Sequence, residues 1–240
     1  MSHIDSHHSM LRQAPLATSA MAWPPPPFRL PLHHPRPTPL QGWPAAVKRG
    51  IDIAVALLAL VTHLLPLLAA AIAIKLDSPG PVLFRQRRIG LHGRPFALVK
   101  FRTMHDRPAT EGRLHQTCPH DPRVTRIGAV LRRTSFDELP QLWNVLRGDM
   151  SLVGPRPHAP GTCAGGIPFE QITDRYPLRH RVRPGMTGLA QVRGWRGQTD
   201  TQEKLLRRLD CDLEYIASWS LWMDCLILLR TVATLWRNAY

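Results

Sequence analysis

From Ile53 to Ile74 the chain runs for 22 residues without an aspartate, glutamate, lysine or arginine. That is long enough for a helix to cross a hydrocarbon core. The run is apolar on every face rather than along one stripe, which argues against the competing reading, a buried helix of a soluble protein. Pro66 lies past its middle and must kink or break a helix there. His63 sits just before the break, where a titratable group is costly in lipid. Both flanks are basic: Lys48 and Arg49 before, Lys75, Arg85, Arg87 and Arg88 after. Each flank therefore favours the cytoplasmic side, and a straight span satisfies only one. The expectation is a helix broken at Pro66 that dips into the membrane and returns.

Upstream, residues 1–47 form a different kind of chain. Ten of the first 50 residues are proline, with histidine scattered among them, so an extended, disordered tail is expected. No early apolar core precedes a small-residue cleavage site, so no secretory leader is expected. Lysine and arginine number 31 against 17 acidic residues, a formal charge of +14. That excess points to an anionic partner: nucleic acid, anionic lipid or a phosphate-rich substrate. The four cysteines, Cys118, Cys163, Cys211 and Cys225, show neither disulfide-scaffold density nor zinc spacing.

Beyond the turn at Asp77-Ser78-Pro79-Gly80-Pro81, Val82-Leu83-Phe84 leads into a basic cluster, and a second strand is expected over Phe96–Phe101. Residues 105–122 and 154–168 read as loops. Helices are expected over Val124–Arg133 and Phe136–Arg147, with Gly148 as the stop, and over 201–217 and 221–236. The first of the last pair is amphipathic, with Leu205, Leu209, Leu213 and Ile216 opposite Arg207, Arg208, Asp212 and Glu214. The second, with Leu221, Trp222, Leu226, Leu229 and Trp236, suits a membrane interface or a soluble core equally. The fold class is α+β and mostly helical. The expected organisation is a tail (1–47), a re-entrant membrane helix (48–76) and a compact catalytic domain with interfacial helices (77–240).

Ser135-Phe136-Asp137-Glu138 opens one expected helix. Ser135 with Glu138 three residues on is a capping-box pattern, and capping is the larger share of the pattern by itself. The same geometry permits chemistry. A helix N-terminus stabilises anions and would keep Asp137 ionised for attack on a phosphoryl group. Glu138 could hold Mg2+, which favours one or two carboxylates plus phosphate oxygens. Arginines gather nearby in sequence: Arg132 and Arg133, Arg156, Arg181 and Arg183, Arg193 and Arg196. Guanidinium forks match phosphate oxygens, and Gly185 and Gly188 let backbone approach a ligand.

The run Ser135-Phe-Asp-Glu-Leu-Pro-Gln-Leu-Trp-Asn-Val-Leu-Arg-Gly-Asp-Met-Ser-Leu-Val-Gly-Pro-Arg-Pro157 resembles the signature of bacterial sugar transferases, the monotopic polyprenyl-phosphate phosphoglycosyl transferases. Lys48-Arg-Gly-Ile-Asp52, Asp77-Ser-Pro-Gly-Pro-Val-Leu-Phe84, Lys100-Phe-Arg-Thr-Met104 and Arg183-Pro-Gly-Met-Thr-Gly-Leu-Ala-Gln191 agree with it. The likeness covers roughly residues 47–237 and is nearest to the undecaprenyl-phosphate glucose or galactose phosphotransferases of exopolysaccharide synthesis. It implies transfer of hexose-1-phosphate from a UDP-hexose, glucose first and galactose second, to undecaprenyl phosphate, through an aspartyl intermediate on Asp137 with release of UMP. It further implies Mg2+ on Glu138, phosphate contacts from Arg132 and Arg156, and nucleotide binding by Arg183, Gly185 and Gly188. The setting it implies is the cytoplasmic face of the bacterial inner membrane, among anionic lipids, with a homo-oligomer compatible and no nucleic acid partner. One departure is Leu65, where many members carry serine before the membrane-helix proline; Thr62 or His63 are the nearest substitutes for its hydroxyl.

Two other classes compete. A nucleic-acid-binding protein fits the charge but not the apolar segment, and no recognition motif is present. A non-catalytic membrane anchor recruiting partners through the tail does not account for the Asp137-Glu138 pair and its arginines.

Overall fold

The computed structural model describes residue 38, residues 40–105 and residues 121–237, with side chains to residue 233. The expected disordered tail up to residue 37, most of the expected loop over 105–122, and the side chain of Trp236 lie outside the described residues.

The apolar run forms two helices, α1 (Gly42–Thr62) and α2 (Leu64–Asp77), bent by 63° at the break. No single helix among the described residues is long and apolar enough to cross a membrane, whereas the bent pair is by length and composition. The bend falls three residues before Pro66, where the missing N–H and the ring disturb the preceding turn. The last turn of α1 stays hydrogen-bonded up to the break. The Thr62 hydroxyl donates to the Leu58 carbonyl at 2.9 Å, and the His63 N–H donates to the Ala59 carbonyl at 3.0 Å. The helix begins at Gly42, ahead of the boundary at 48 expected from sequence.

The hairpin β1 (Leu83–Ile89) and β2 (Pro95–Phe101) follows, antiparallel, with Phe84 opposite Lys100 and Arg88 opposite Phe96. The basic cluster is thus part of a strand. Helix α3 (Arg126–Arg133) is capped by Thr125, whose hydroxyl accepts from the Gly128 N–H at 2.9 Å. Asp77, the last residue of α2, accepts from the Ile127 N–H at 3.1 Å at the same helix start.

The helix expected over Phe136–Arg147 is divided. A 3-10 turn covers Phe136–Glu138, and α4 (Gln141–Arg147) begins only after Pro140. Proline supplies no N–H to a continuing helix, so it starts one instead. Gly148 ends α4 with φ 90° as expected, in the left-handed region glycine enters freely. Next come β3 (Ser151–Val153), a two-residue hairpin of β4 (Cys163–Ala164) and β5 (Ile167–Pro168), the short α5 (Phe169–Ile172), a 3-10 segment (Tyr176–Arg181), β6 (Gly185–Thr187) parallel to β3, and α6 (Leu189–Val192). The β4–β5 hairpin lies inside a stretch expected to be loop. It turns on Gly165 and Gly166, both at positive φ, as tight hairpins require. Helices α7 (Gln202–Ser218) and α8 (Leu221–Arg237) finish the chain close to their expected bounds.

One apolar core joins the first half of the bent pair to the domain: Ala56 of α1 packs with Leu142, Val145, Leu152, Tyr215 and Ile227. A second seats α2 on α3 through Ala70, Ile74, Phe101 and Leu131, with Phe136 against it. On α7, Leu205, Leu209 and Ile216 are buried as expected, but so are Arg208 and Asp212, which the sequence pattern assigns to the outer face. Helix α8 is apolar on two sides. Ile227 is in the core, while Trp222, Leu229 and Val232 form an outward apolar stripe, Trp222 being 69% exposed.

Candidate active site

The sequence motifs resolve first into scaffolding. In Lys48-Arg49-Gly50-Ile51-Asp52, Lys48 Nζ donates to Asp224 Oδ2 at 2.6 Å, and Arg49 donates to the carbonyls of Val145 and Leu146 at the end of α4. Asp52 accepts from the Ser151 hydroxyl at 2.7 Å and the Leu152 N–H at 3.1 Å. Every charge in this segment locks α1 to the domain. Arg102 ties the Ser78–Pro79 turn to β2 through the Ser78 carbonyl and hydroxyl. Asn144 pins α4 to β2 by exchanging bonds with the Val99 N–H and the Ala97 carbonyl.

The 3-10 turn that carries Asp137 and Glu138 packs on β2 and α3. Ser135, just before it, has φ 56° and makes no capping bond, so the capping-box reading does not hold. A single 3-10 turn also lacks the aligned peptide dipoles of an α-helix. The expected lowering of the Asp137 pKa is accordingly reversed. Burial pushes it up to about 6, with the Glu138 charge adding to the rise and Lys100, Arg132 and Arg156 opposing it. Glu138 goes the other way: burial alone would raise it, but the Arg156 charge and hydrogen bonds hold it below the usual carboxylate range. Arg156 is bidentate, Nη1 on Glu138 Oε2 at 3.1 Å and Nη2 on Oε1.

Around these two carboxylates stand five cations from five parts of the chain. Arg132 ends α3 and holds the Thr103 hydroxyl through Nε at 2.9 Å. Lys100 ends β2, its ammonium 5.3 Å from the centre of the Phe84 ring, with burial lowering its pKa and Asp137 pulling the other way. Arg88, on the same face of the hairpin, has its pKa lowered to about 10 by burial and by Arg156. Arg196 adds positive charge beside Glu138. Five positive charges on two negative ones leave a surplus suited to a diphosphate.

Asp137, Glu138, Arg132 and Arg156 are therefore brought together. Arg183, Gly185 and Gly188 are placed otherwise. Arg183 donates from Nε to the Gly148 carbonyl at 3.0 Å, and it faces Arg49 rather than the acidic pair. A Cβ on Gly185 would lie 2.1 Å from the Gly154 nitrogen, and one on Gly188 2.2 Å from the Gly154 oxygen. Both glycines serve the close approach of β6 to the chain after β3. Arg88 and Lys100 join the site although the sequence gives neither a role there, Lys100 standing at the head of the Lys100-Phe-Arg-Thr-Met104 stretch. The signal for Lys100 is the strand period: it is in phase with Phe96 and Leu98, so it must point inward with them.

The donor set fits a divalent cation in a limited way. Among the described residues no group of three histidine, cysteine or acidic side chains converges. Asp137 and Glu138 are adjacent in the chain and feel one another's charge, and each Glu138 oxygen keeps a lone pair beyond its bond to Arg156. That matches an ion drawing its remaining ligands from phosphate and water. Phe136, beside Asp137, packs against the small core in which Ala70 and Ile74 of α2 meet Phe101 of β2 and Leu131 of α3, so the turn is joined to the bent helix pair through that core. Apolar side chains are exposed along that pair, including Val61, Leu64, Leu65 and Leu68, and Trp143 of α4 is exposed beside α1.

The sequence profile described as bacterial sugar transferase matches residues 43–238. An undecaprenyl-phosphate glucose phosphotransferase of Komagataeibacter xylinus is 52% identical over 195 residues, 81% of this chain and 36% of that protein. The UDP-glucose:undecaprenyl-phosphate glucose-1-phosphate transferase of Escherichia coli (strain K12) is 50% identical, with 81% of this chain and 41% of that protein aligned. The protein so named in Caulobacter vibrioides (strain ATCC 19089 / CIP 103742 / CB 15) is 52% identical, with 80% of this chain and 72% of that protein aligned. The aligned region thus spans about two fifths of the length of the first two relatives.

Proposed function

This chain belongs to the bacterial sugar transferase family, and on that premise we propose that it is a phosphoglycosyl transferase acting on UDP-hexose and undecaprenyl phosphate. Glucose is the first hexose, because the three relatives above carry glucose in their names, and galactose the second. The observation that carries the reading is the burial of Asp137 beside Glu138 within a ring of lysine and arginine.

Asp137 attacks the sugar-bearing phosphorus of UDP-hexose. The bond from that phosphorus to the bridging oxygen breaks, UMP leaves with the electron pair, and the hexose-phosphate rests on Asp137 as an acyl phosphate. An oxygen of undecaprenyl phosphate then attacks the same phosphorus and expels the Asp137 carboxylate. The products are undecaprenyl-diphospho-hexose and UMP. The sugar–oxygen bond is never broken, so the anomeric configuration is retained. With a pKa of about 6, Asp137 is about nine-tenths ionised at pH 7 and its proton need not be removed by a separate base.

Arg156 fixes Glu138, and Arg88, Lys100, Arg132 and Arg196 supply the charge that a phosphoryl transition state demands. Glu138 would hold Mg2+, which when bound supplies further neutralisation of the diphosphate oxygens. Both arms of the bent pair contact the same domain, α1 against α4 and β3, α2 against α3, while the elbow is exposed. That supports a re-entrant, monotopic seat, with the site at the cytoplasmic face of the inner membrane among anionic lipids, to which the positive charge is suited. The setting is the first membrane step of exopolysaccharide or capsule assembly.

The test is UMP release by the membrane-embedded protein from a panel of UDP-sugars with undecaprenyl phosphate. UDP-glucose should be turned over, Asp137→Asn should abolish turnover, and chelation of divalent cations should do the same. Normal turnover by the Asn variant would end the proposal.

A further inference from the structure

Arg156 stands in Gly154-Pro155-Arg156-Pro157-His158, a segment with two prolines and hence two missing backbone donors. Its carbonyls are what the rest of the fold can grip, and four in succession are held. Pro155 O accepts from the Gly185 N–H at 3.0 Å, and His158 O from the Ile89 N–H at 3.1 Å. Between them, Arg156 O accepts from Arg179 Nη2 at 2.7 Å, and Pro157 O from Arg88 Nη1 at 3.1 Å.

Arg179 is the unusual member of this set. It is 3% exposed and sits on the 3-10 segment Tyr176–Arg181, with its guanidinium committed on all sides. Nε and Nη2 donate to Asp212 Oδ2 at 3.0 and 2.7 Å, and Nη1 lies 3.0 Å from His158 Nδ1. Asp212 is buried on α7. A buried ion pair is expensive to desolvate, and an apolar pair of similar volume often serves stability as well or better. What an apolar pair could not do is hold the Arg156 carbonyl. That hold fixes the main chain from which the Arg156 side chain reaches Glu138.

We propose that Arg179, braced by Asp212, is a positioning residue that sets the register of Arg156 against Glu138. This rests on the phosphoglycosyl transferase reading above. Arg179 touches neither Asp137 nor Glu138 and acts only through Arg156.

The experiment is a double-mutant cycle on the full chain in nanodiscs, with UDP-glucose and undecaprenyl phosphate, crossing Arg179→Lys with Arg156→Lys. Lysine at 179 keeps the charge but cannot serve Asp212 and the carbonyl in one plane. The single Arg179→Lys variant should lose on the order of ten- to a hundredfold in kcat with the KM for UDP-glucose nearly unchanged. In the Arg156→Lys background the same change should cost almost nothing, because the residue it positions is already gone. Asp212→Asn should behave like Arg179→Lys in both backgrounds, and it stands in if the lysine variant fails to fold. Costs that multiply undiminished in the double variant, or a loss confined to KM, would overturn the assignment. A wild-type protein that turns over no UDP-hexose would instead overturn the functional reading, and this inference with it.

Discussion

Arg156 engages both oxygens of Glu138, one Nη on each, so the carboxylate beside Asp137 is fixed in orientation as well as in charge. A lysine ammonium is a point donor and cannot occupy both positions at once. Arg156→Lys should therefore lower kcat for hexose-phosphate transfer by about a hundredfold, the usual scale for one preorganised electrostatic group. UMP release from a protein with unchanged thermal unfolding is the measurement, and a lysine variant within a few-fold of wild type would show the fork to be dispensable.

The raised pKa of Asp137 fixes an acidic limb. Burial and Glu138 put it at about 6, so below that pH the nucleophile is mostly protonated. The kcat/KM for UDP-glucose should fall about tenfold for each pH step of one below pH 6 and level off above about pH 7, the apparent pKa belonging to the coupled Asp137–Glu138 pair. A profile flat from about pH 5 to 8 would contradict this.

The same raised pKa makes Asp137 a burden on the fold. In the folded state it keeps its proton to about pH 6, whereas its ordinary value is 3.8. Between those values the folded chain binds more protons than the unfolded one, so stability falls as pH rises through the window. Asparagine carries no charge and escapes the penalty. Asp137→Asn should thus be more stable than wild type at pH 7.5 by about 2–3 kcal/mol, since a tenfold change in a protonation equilibrium corresponds to roughly 1.4 kcal/mol. The difference should close as pH approaches about 4. Thermal unfolding in nanodiscs with divalent cations chelated measures it; a variant less stable than wild type under these conditions would refute the account.

Much of this site was legible in residues 48–157 because its strongest signals are local. Twenty-two uncharged residues with one proline dictate a bent apolar element, and Asp137 and Glu138 are adjacent in the chain, so no topology is needed to bring them together. What was not legible depends on distance in space. Whether Ser135 caps a helix depends on its left-handed φ, set by how α3 meets the following turn. Arg183 lies within a glycine-rich motif, yet its partner is the Gly148 carbonyl, 35 residues away. Arg208 and Asp212 read as an outer face because periodicity assigns charge to solvent; only the buried partner Arg179, on a different element, explains Asp212. Lys100 is the instructive middle case, since alternation with Phe96 and Leu98 points it inward although its charge argues the reverse.

Lys48 and Asp224 provide the clearest test of how the bent helix pair is fastened to the domain. Asp224 is buried and accepts from Lys48 Nζ at 2.6 Å, the Tyr215 hydroxyl at 2.8 Å and the Trp219 indole N–H at 3.1 Å. Lys48→Met fills similar space but takes the countercharge from buried Asp224 and from Asp52, 3.8 Å from the same ammonium, which should cost about 3–5 kcal/mol. Asp224→Asn added to it removes the nearer of the two stranded charges and leaves an oxygen that can still accept from Tyr215, so the double variant should recover part of the loss. Denaturant unfolding in mild detergent reads both. If the methionine variant were as stable as wild type, the ion pair would not be what holds α1 to α8, and the shared apolar core around Ala56 would have to carry that attachment instead.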